Sequence, residues 1–187
     1  QGTQIFGFIA VLARRERDAE AGAARLQARI AWQPGPALPD AATLPGFLRS
    51  APCDTTVPVR KGDAAMPPGG LQRQAVYFKP YLAHASIGPS CALARFEGGR
   101  LEVWTHSQGI HNLRDDLVLA LGLPREAMAV HHVEGAGCYG HNGADDVAFD
   151  AALAAVRIGR PVMVTWSREE ELAASPCGSA SVIDIDA

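Results

Sequence analysis

The stretch EGAGCYGHNGADD, Glu134 to Asp146, carries four glycines together with Cys138, Tyr139 and His141, and two aspartates close it. A strand-like run, AMAVHHVEG, leads into it, and a helical pattern, ADDVAFDAALAAVRIG, leads out. Helix N-termini carry unpaired N–H groups and a partial positive charge. Glycines let such groups approach an anion or a planar cofactor. Each N–H bonded to a charged oxygen contributes roughly 1.5–3 kcal/mol. The alternative is a tight loop whose glycines only satisfy left-handed backbone geometry. The loop lacks the Gly-Lys-Ser/Thr ending of a phosphate-binding P-loop. Its segment GAGCYG fits the G-x-G-x-x-G spacing of a dinucleotide site, yet the nearest acid after the next strand, Glu169, falls late for a ribose contact. A Rossmann-like nucleotide-binding protein is therefore one alternative. A non-catalytic structural module is another.

Five histidines, 106, 111, 131, 132 and 141, with Cys138, could be drawn as a metal cluster. The spacing argues against it. His131 and His132 are adjacent on a strand and point to opposite faces. His106 and His111 straddle a strand-to-helix corner. A reactive Cys138–His141 pair is a further alternative. The four cysteines, 53, 91, 138 and 177, form no CxxC pair, so a structural zinc site is not expected and disulfides are not demanded.

These residues need elements to hold them. QIFGFIAVLA reads as a buried strand, and the segment after it as an amphipathic helix with Ala19, Ala23, Leu26 and Ile30 at helical spacing. From Gln33 to Gly70 eight prolines break the pattern, and neither a helix nor a central strand is expected there. QAVYFKPYLAHAS is strand-like. SCALARFEGGRLEVWTHSQ is a hairpin: Cys91, Leu93 and Arg95 alternate in one arm, Leu101, Val103 and Thr105 in the other. GIHNLRDDLVLALGLP is a helix with its stripe at Leu113, Leu117, Ala120 and Leu121, stopped by Gly122 and Pro124. RPVMVTWS is a strand, and Ser167 with Glu170 forms a capping box for the helix after it. Glu169 to Glu171 read as a solvated capping turn. Trp104 and Trp166 are expected in the core. The tail alternates weakly at Val182, Ile183 and Ile185, as a strand would.

The 187 residues suffice for one sizeable domain or pieces of two. A net charge of −3 gives no reason to expect a nucleic-acid or anionic-membrane partner. The longest apolar run is the length of a buried strand, short of a membrane span. The first residue is Gln1 and not Met, so a fragment or processed piece is expected.

Three segments, YLAHASIGPSCALA, LEVWTHSQGIHNLRDDLVLALGLP and VHHVEGAGCYGHNGADDVAFDAALAA, together resemble the large, molybdopterin-binding subunit of the xanthine dehydrogenase and aldehyde oxidase family. The branch most similar is that of isoquinoline 1-oxidoreductase and nicotinate dehydrogenase. The resemblance covers Tyr77 to Glu171 and extends loosely to the N-terminal unit. It implies an α+β fold: residues 1–32 as the end of an α/β-hammerhead-like domain, 33–74 as a Pro-rich linker, and 75–187 as part of the first molybdopterin-binding domain. It implies oxidation of an aldehyde or N-heterocycle with oxygen from water, and electron transfer to iron–sulfur clusters in a partner subunit or domain. A metal that makes water nucleophilic near neutral pH lessens the need for acid–base side chains. By the same resemblance, Gln108 is the catalytic glutamine beside the molybdenum, and Gly137, Cys138, Tyr139, Gly140 and His141 form the cofactor loop. The loop departs from the family's GGGFGG-like pattern by one extra residue, so either Cys138 or Tyr139 stands at the Phe position. Gly88 replaces a frequent Glu, while His84 and Pro89 remain. The family's catalytic glutamate, from a Gly-rich loop near the subunit's far C-terminus, has no visible counterpart up to Ala187. The rest of the large subunit is thus an expected partner, and this piece alone is expected to be inactive. The compartment, cytoplasm or periplasm, stays open.

Overall fold

A computed structural model describes residues 9–33, 35–62, 69–140 and 146–187. It divides into two compact units, Gln1–Leu38 and Pro39–Ala187. In the first, helix α1 spans Glu16–Gln27 and buries no residue. Gly22 meets the Val11 side chain so closely that an added Cβ would lie 2.8 Å from Cγ1. The strand expected at QIFGFIAVLA falls in part on residues that are not described. Residues 1–8 lie outside the described residues, and 9–13 join no ladder. A strand needs a hydrogen-bonding partner, and the described residues of this unit supply none.

The second unit is built on a four-stranded sheet of order β4-β3-β2-β5. Strand β2 (Cys91–Glu97) and β3 (Arg100–Thr105) form the expected hairpin. Gly98 and Gly99 both take positive φ, 55° and 78°, the backbone of a two-residue turn that matches strand twist. Helix α3 (Ile110–Leu121) carries the chain from β3 to β4 (Met128–His132), which lies parallel to β3. Helix α4 (Asp146–Ile158) leads to β5 (Val162–Thr165), antiparallel to β2 at the other edge. Helix α5 (Arg168–Ala174) follows, with the Ser167–Glu170 capping box in place. A separate two-stranded ribbon pairs β1 (Gln74–Lys79) with β6 (Ser181–Asp186), so the weakly alternating tail is a strand.

The core lies between this sheet and helices α3 and α4. It gathers Ala92, Ala94, Leu101, Val103, Leu113, Leu117, Val147, four alanines of α4 that are wholly buried, and Trp166. Full burial of Leu101 or Leu117 contributes about 1.5–3 kcal/mol each. The α4 face is alanine because it lies against Ala92 and Ala94 of β2; larger side chains would hold helix and sheet apart.

Four sequence expectations need correction. The arm of β2 facing the helices is Ala92 and Ala94, not Cys91 and Leu93. The ladder sets Ala92 opposite Thr105 and Ala94 opposite Val103, so the alanines share the face of Leu101 and Val103. Trp104 therefore lies on the opposite face, half-buried, stacked on His131 at 5.1 Å, and outside the core; Trp166 is within it. The Pro-rich stretch holds a short helix, α2 (Leu44–Ser50), with Pro45 in its first turn and Leu44 buried. Proline is tolerated there because those N–H groups have no intrahelical acceptor. Ala120 is exposed; the buried stripe of α3 is Leu113 and Leu117.

Candidate functional site

Parallel pairing of β3 and β4 brings their C-terminal ends side by side. The Val133 N–H donates to Thr105 O at 2.9 Å, extending the ladder past β4. His132 Nδ1 bonds Ser107 O at 2.8 Å. A carbonyl only accepts, so this nitrogen carries the proton. The two chains then leave the sheet together: β3 into Gln108, β4 into the glycine loop. Ligands bind preferentially at such strand ends in open sheets with crossover helices.

Gln108 is exposed. The Cys138 thiol donates to its Oε1 at 3.4 Å, and the Gly140 N–H donates to Cys138 Sγ at 3.4 Å. Three of the expected site residues thus touch in sequence. Gly137 (φ 98°) and Gly140 (φ 107°) take backbone conformations that side chains resist. Tyr139 is an exposed non-glycine residue at φ 51°; its ring lies over Gly137, where an added Cβ would come within 2.8 Å. His141 lies outside the described residues.

The glycines also answer to the protein's own side chains. A Cβ on Gly135 would lie 2.6 Å from His106 Cβ, and one on Gly140 would lie 2.9 Å from the His84 ring. Ser86, buried, donates its hydroxyl to Cys138 O at 3.5 Å. Gly88 faces Ala136, whose Cβ would be 2.8 Å from a Cβ at position 88. The turn 84–90 therefore backs the loop along its length. His84, Ser86 and Gly88 all stood within a segment carrying the family resemblance, but Ser86 was not singled out: a serine between Ala and Ile reads as ordinary turn composition.

Beside the loop, on the uncovered face of the sheet, lies a shallow cavity of about 240 Å³. Cys91, Leu93, Trp104 and His106 form its floor, and Val133 to Gly137 form one wall. The Cys91 N–H donates to His106 Nε2 at 3.4 Å and fixes that ring. Farther along the face, Arg95 pairs with Glu102 and lies over the Trp104 ring, 5.7 Å from its centroid. The Arg95 hydrogen bond holds the Glu102 carboxyl below its ordinary pKa.

Among the described residues, no three His, Cys, Asp or Glu side chains gather as a metal site. None of the four cysteines is in a disulfide. The groups that meet at Gln108 are a carboxamide, a thiol and a backbone amide, all neutral donors or acceptors. That set suits an organic cofactor that brings its own metal ligands, and does not suit a bare cation. A dinucleotide site fits less well. The glycine loop leaves an edge strand, and two of the three ladders in the sheet are antiparallel. In a Rossmann fold the strand before the glycine loop is central, with parallel strands on both sides.

Fold and site together define an α+β domain in which a glycine loop and an amide side chain meet at the paired ends of two strands. The sequence pattern of the molybdopterin cofactor-binding domain matches residues 69–187. A nicotinate dehydrogenase subunit of Pseudomonas putida is 38% identical over 188 residues, 97% of this chain and 15% of the relative. The aldehyde oxidoreductase molybdenum-binding subunit PaoC of Escherichia coli is 32% identical over 107 residues, 57% of this chain and 15% of the relative. Quinoline 2-oxidoreductase from Pseudomonas putida 86 superposes with a TM-score of 0.56 at 18% identity, covering 59% of this chain and 14% of that one. For CO dehydrogenase from Oligotropha carboxidovorans the TM-score is 0.53 at 21% identity, covering 57% and 14%. The chain belongs to the molybdopterin cofactor-binding domain family, as the three sequence segments led one to expect. It spans 15% of the length of the curated relatives it matches.

Proposed function

We propose that the Gln108 side chain and the loop Gly137, Cys138, Tyr139, Gly140 and His141 hold molybdopterin in the complete enzyme, a molybdenum-dependent oxidoreductase. One observation carries this reading above the others: the Cys138–Gln108 contact at the paired ends of β3 and β4, which joins two of the segments that together carry the family resemblance. The cofactor, when bound, supplies the redox chemistry and the activation of water. The chain's own part is to bind and orient. Gln108 donates a neutral amide hydrogen bond without adding charge. The backbone amides of the loop would be further donors to the cofactor. The His84 ring and the buried Ser86 hydroxyl keep the loop in register.

The substrate is an aldehyde or an N-heterocycle, and the electrons pass to iron–sulfur centres in a partner subunit or domain. The identity to the nicotinate dehydrogenase of Pseudomonas putida favours an N-heterocyclic acid among these. Residues 1–32 belong to the end of a hammerhead-like domain, 33–74 are a linker, and 75–187 form part of the cofactor-binding domain, completed by the rest of the large subunit. The chain alone is inactive on this reading. The test uses the complete polypeptide. Molybdopterin released as its fluorescent oxidation product, bound molybdenum and dye-linked oxidation of nicotinate and of an aldehyde are compared between parent and Gln108→Ala. Unchanged turnover and cofactor content in the variant would sink the assignment.

A further inference from the structure

Glu171 is 2% exposed, against the sequence expectation of a solvated capping turn. Its Oε2 accepts from Arg168 Nη1 at 2.8 Å, and its Oε1 accepts from Ser90 Oγ at 3.4 Å. A buried carboxylate is tolerated only with a cation and hydrogen bonds around it. Arg168 turns its other arm away from α5, and Nη2 donates to Ile87 O at 2.8 Å. Both second partners, Ser90 and Ile87, belong to the turn 84–90, 81 residues earlier in the chain. The Trp166 N–H also donates to Ser90 O at 3.0 Å. The start of α5 is already closed by the Ser167–Glu170 capping box, so the pair is not needed for that end.

The same turn touches the glycine loop at three points: His84 against Gly140, Ser86 on Cys138 O, and Gly88 against Ala136. One of its residues, Ala85, sits at φ 49°, a conformation alanine adopts only when its surroundings hold it there. From this geometry we infer that Arg168 and Glu171 are positioning residues: they clamp the 84–90 turn, and through it set where the loop amides and the Cys138–Gln108 contact stand. On the reading that this loop holds molybdopterin, the clamp preorganises the cofactor cradle from behind, without touching the cofactor.

The test uses the complete polypeptide and Arg168→Lys, which keeps a cation beside the buried carboxylate but cannot reproduce both arms of the guanidinium fork. Hydrogen exchange at the amides of residues 135–140 is expected to accelerate about ten-fold, with α4 unchanged, because local opening is governed by local contacts. Molybdopterin per polypeptide should fall about three-fold in step. Ser90→Ala removes one contact of the clamp and should give a smaller shift in the same amides. It serves as the readout should Arg168→Lys fail to accumulate. Exchange at 135–140 equal to that of the parent, with acceleration confined to α5, overturns the clamp and leaves the cofactor assignment untouched. A loosened loop in Arg168→Lys with full molybdopterin content, together with unchanged content and turnover in Gln108→Ala, upholds the clamp and sinks the cofactor assignment.

Discussion

The Cys138 thiol rests 3.4 Å from Gln108 Oε1, although 30 residues separate them. The crossover helix α3 makes this contact. By returning β4 parallel to β3, it sets the end of one strand beside the end of the other, and the two loops meet. Gln108 is thereby held at its oxygen by a thiol while its NH2 group remains a donor. Cys138 is the intermediary, since its sulfur also receives the Gly140 N–H.

Gln108→Ala tests whether that donor acts on chemistry or on structure. Removing one preorganised donor from an active site costs about 100-fold in turnover or more. The side chain is exposed, so stability should change by no more than about 0.5 kcal/mol. The check is kcat of the complete enzyme alongside its melting temperature. A stability loss without a rate loss would make Gln108 a structural residue.

Gly140→Ala strikes the loop in two ways. The backbone sits at φ 107°, and the new methyl group would meet the His84 ring at 2.9 Å. Strain of this kind costs about 1–3 kcal/mol. Combining it with His84→Ala removes the collision but not the dihedral strain, so the double variant should recover only part of the loss. Denaturation of the four proteins in the cycle measures the split. Full recovery would mean that the ring alone, and not the backbone, demands glycine there.

How far the sequence foretold this depends on how local each cause is. Gly122 ending α3 and Ser167 capping α5 were legible because a cap is decided within four residues. The hairpin turn at Gly98–Gly99 was legible for the same reason. Glu171 was not: Arg-Glu-Glu-Glu after a capping serine describes a solvated turn until Ser90 and Ile87 arrive from 81 residues away. The inner face of β2 was missed because alanine is a weak hydrophobic signal, and only the approach of α4 makes Ala92 and Ala94 the right size. Cys138 and Gln108 were each visible, but what joins them is the parallel ladder, a tertiary fact.

Ala151→Leu probes that small-residue contact. Ala151 is wholly buried in α4, the helix packed on β2. Three added carbons have no room at native packing density, and overpacking of this kind costs about 1–3 kcal/mol. Denaturant titration should show a lowered midpoint with an unchanged slope. A neutral result would mean that the helix can lift from the sheet without penalty, against the close packing described above.

Asp150 gives the fold a pH dependence of definite sign. Burial raises its carboxyl above the ordinary aspartate pKa; the hydrogen bond from Trp166 Nε1, 3.0 Å from Oδ2, opposes the rise, and Asp146 and Glu170 add to it. The folded state therefore holds this proton more tightly than the unfolded chain does. Stability from this group must fall as pH climbs from the ordinary aspartate value through the raised one, and must return as pH is lowered. Asp150→Asn keeps an acceptor for the indole N–H and carries no charge to desolvate. At neutral pH the variant should be at least as stable as the parent, and its advantage should shrink steadily on acidification through that window. Urea denaturation of both proteins at a series of pH values measures the difference. A gap that widens towards acid would show that the ionised carboxylate stabilises the helix, and that the Trp166 bond outweighs burial.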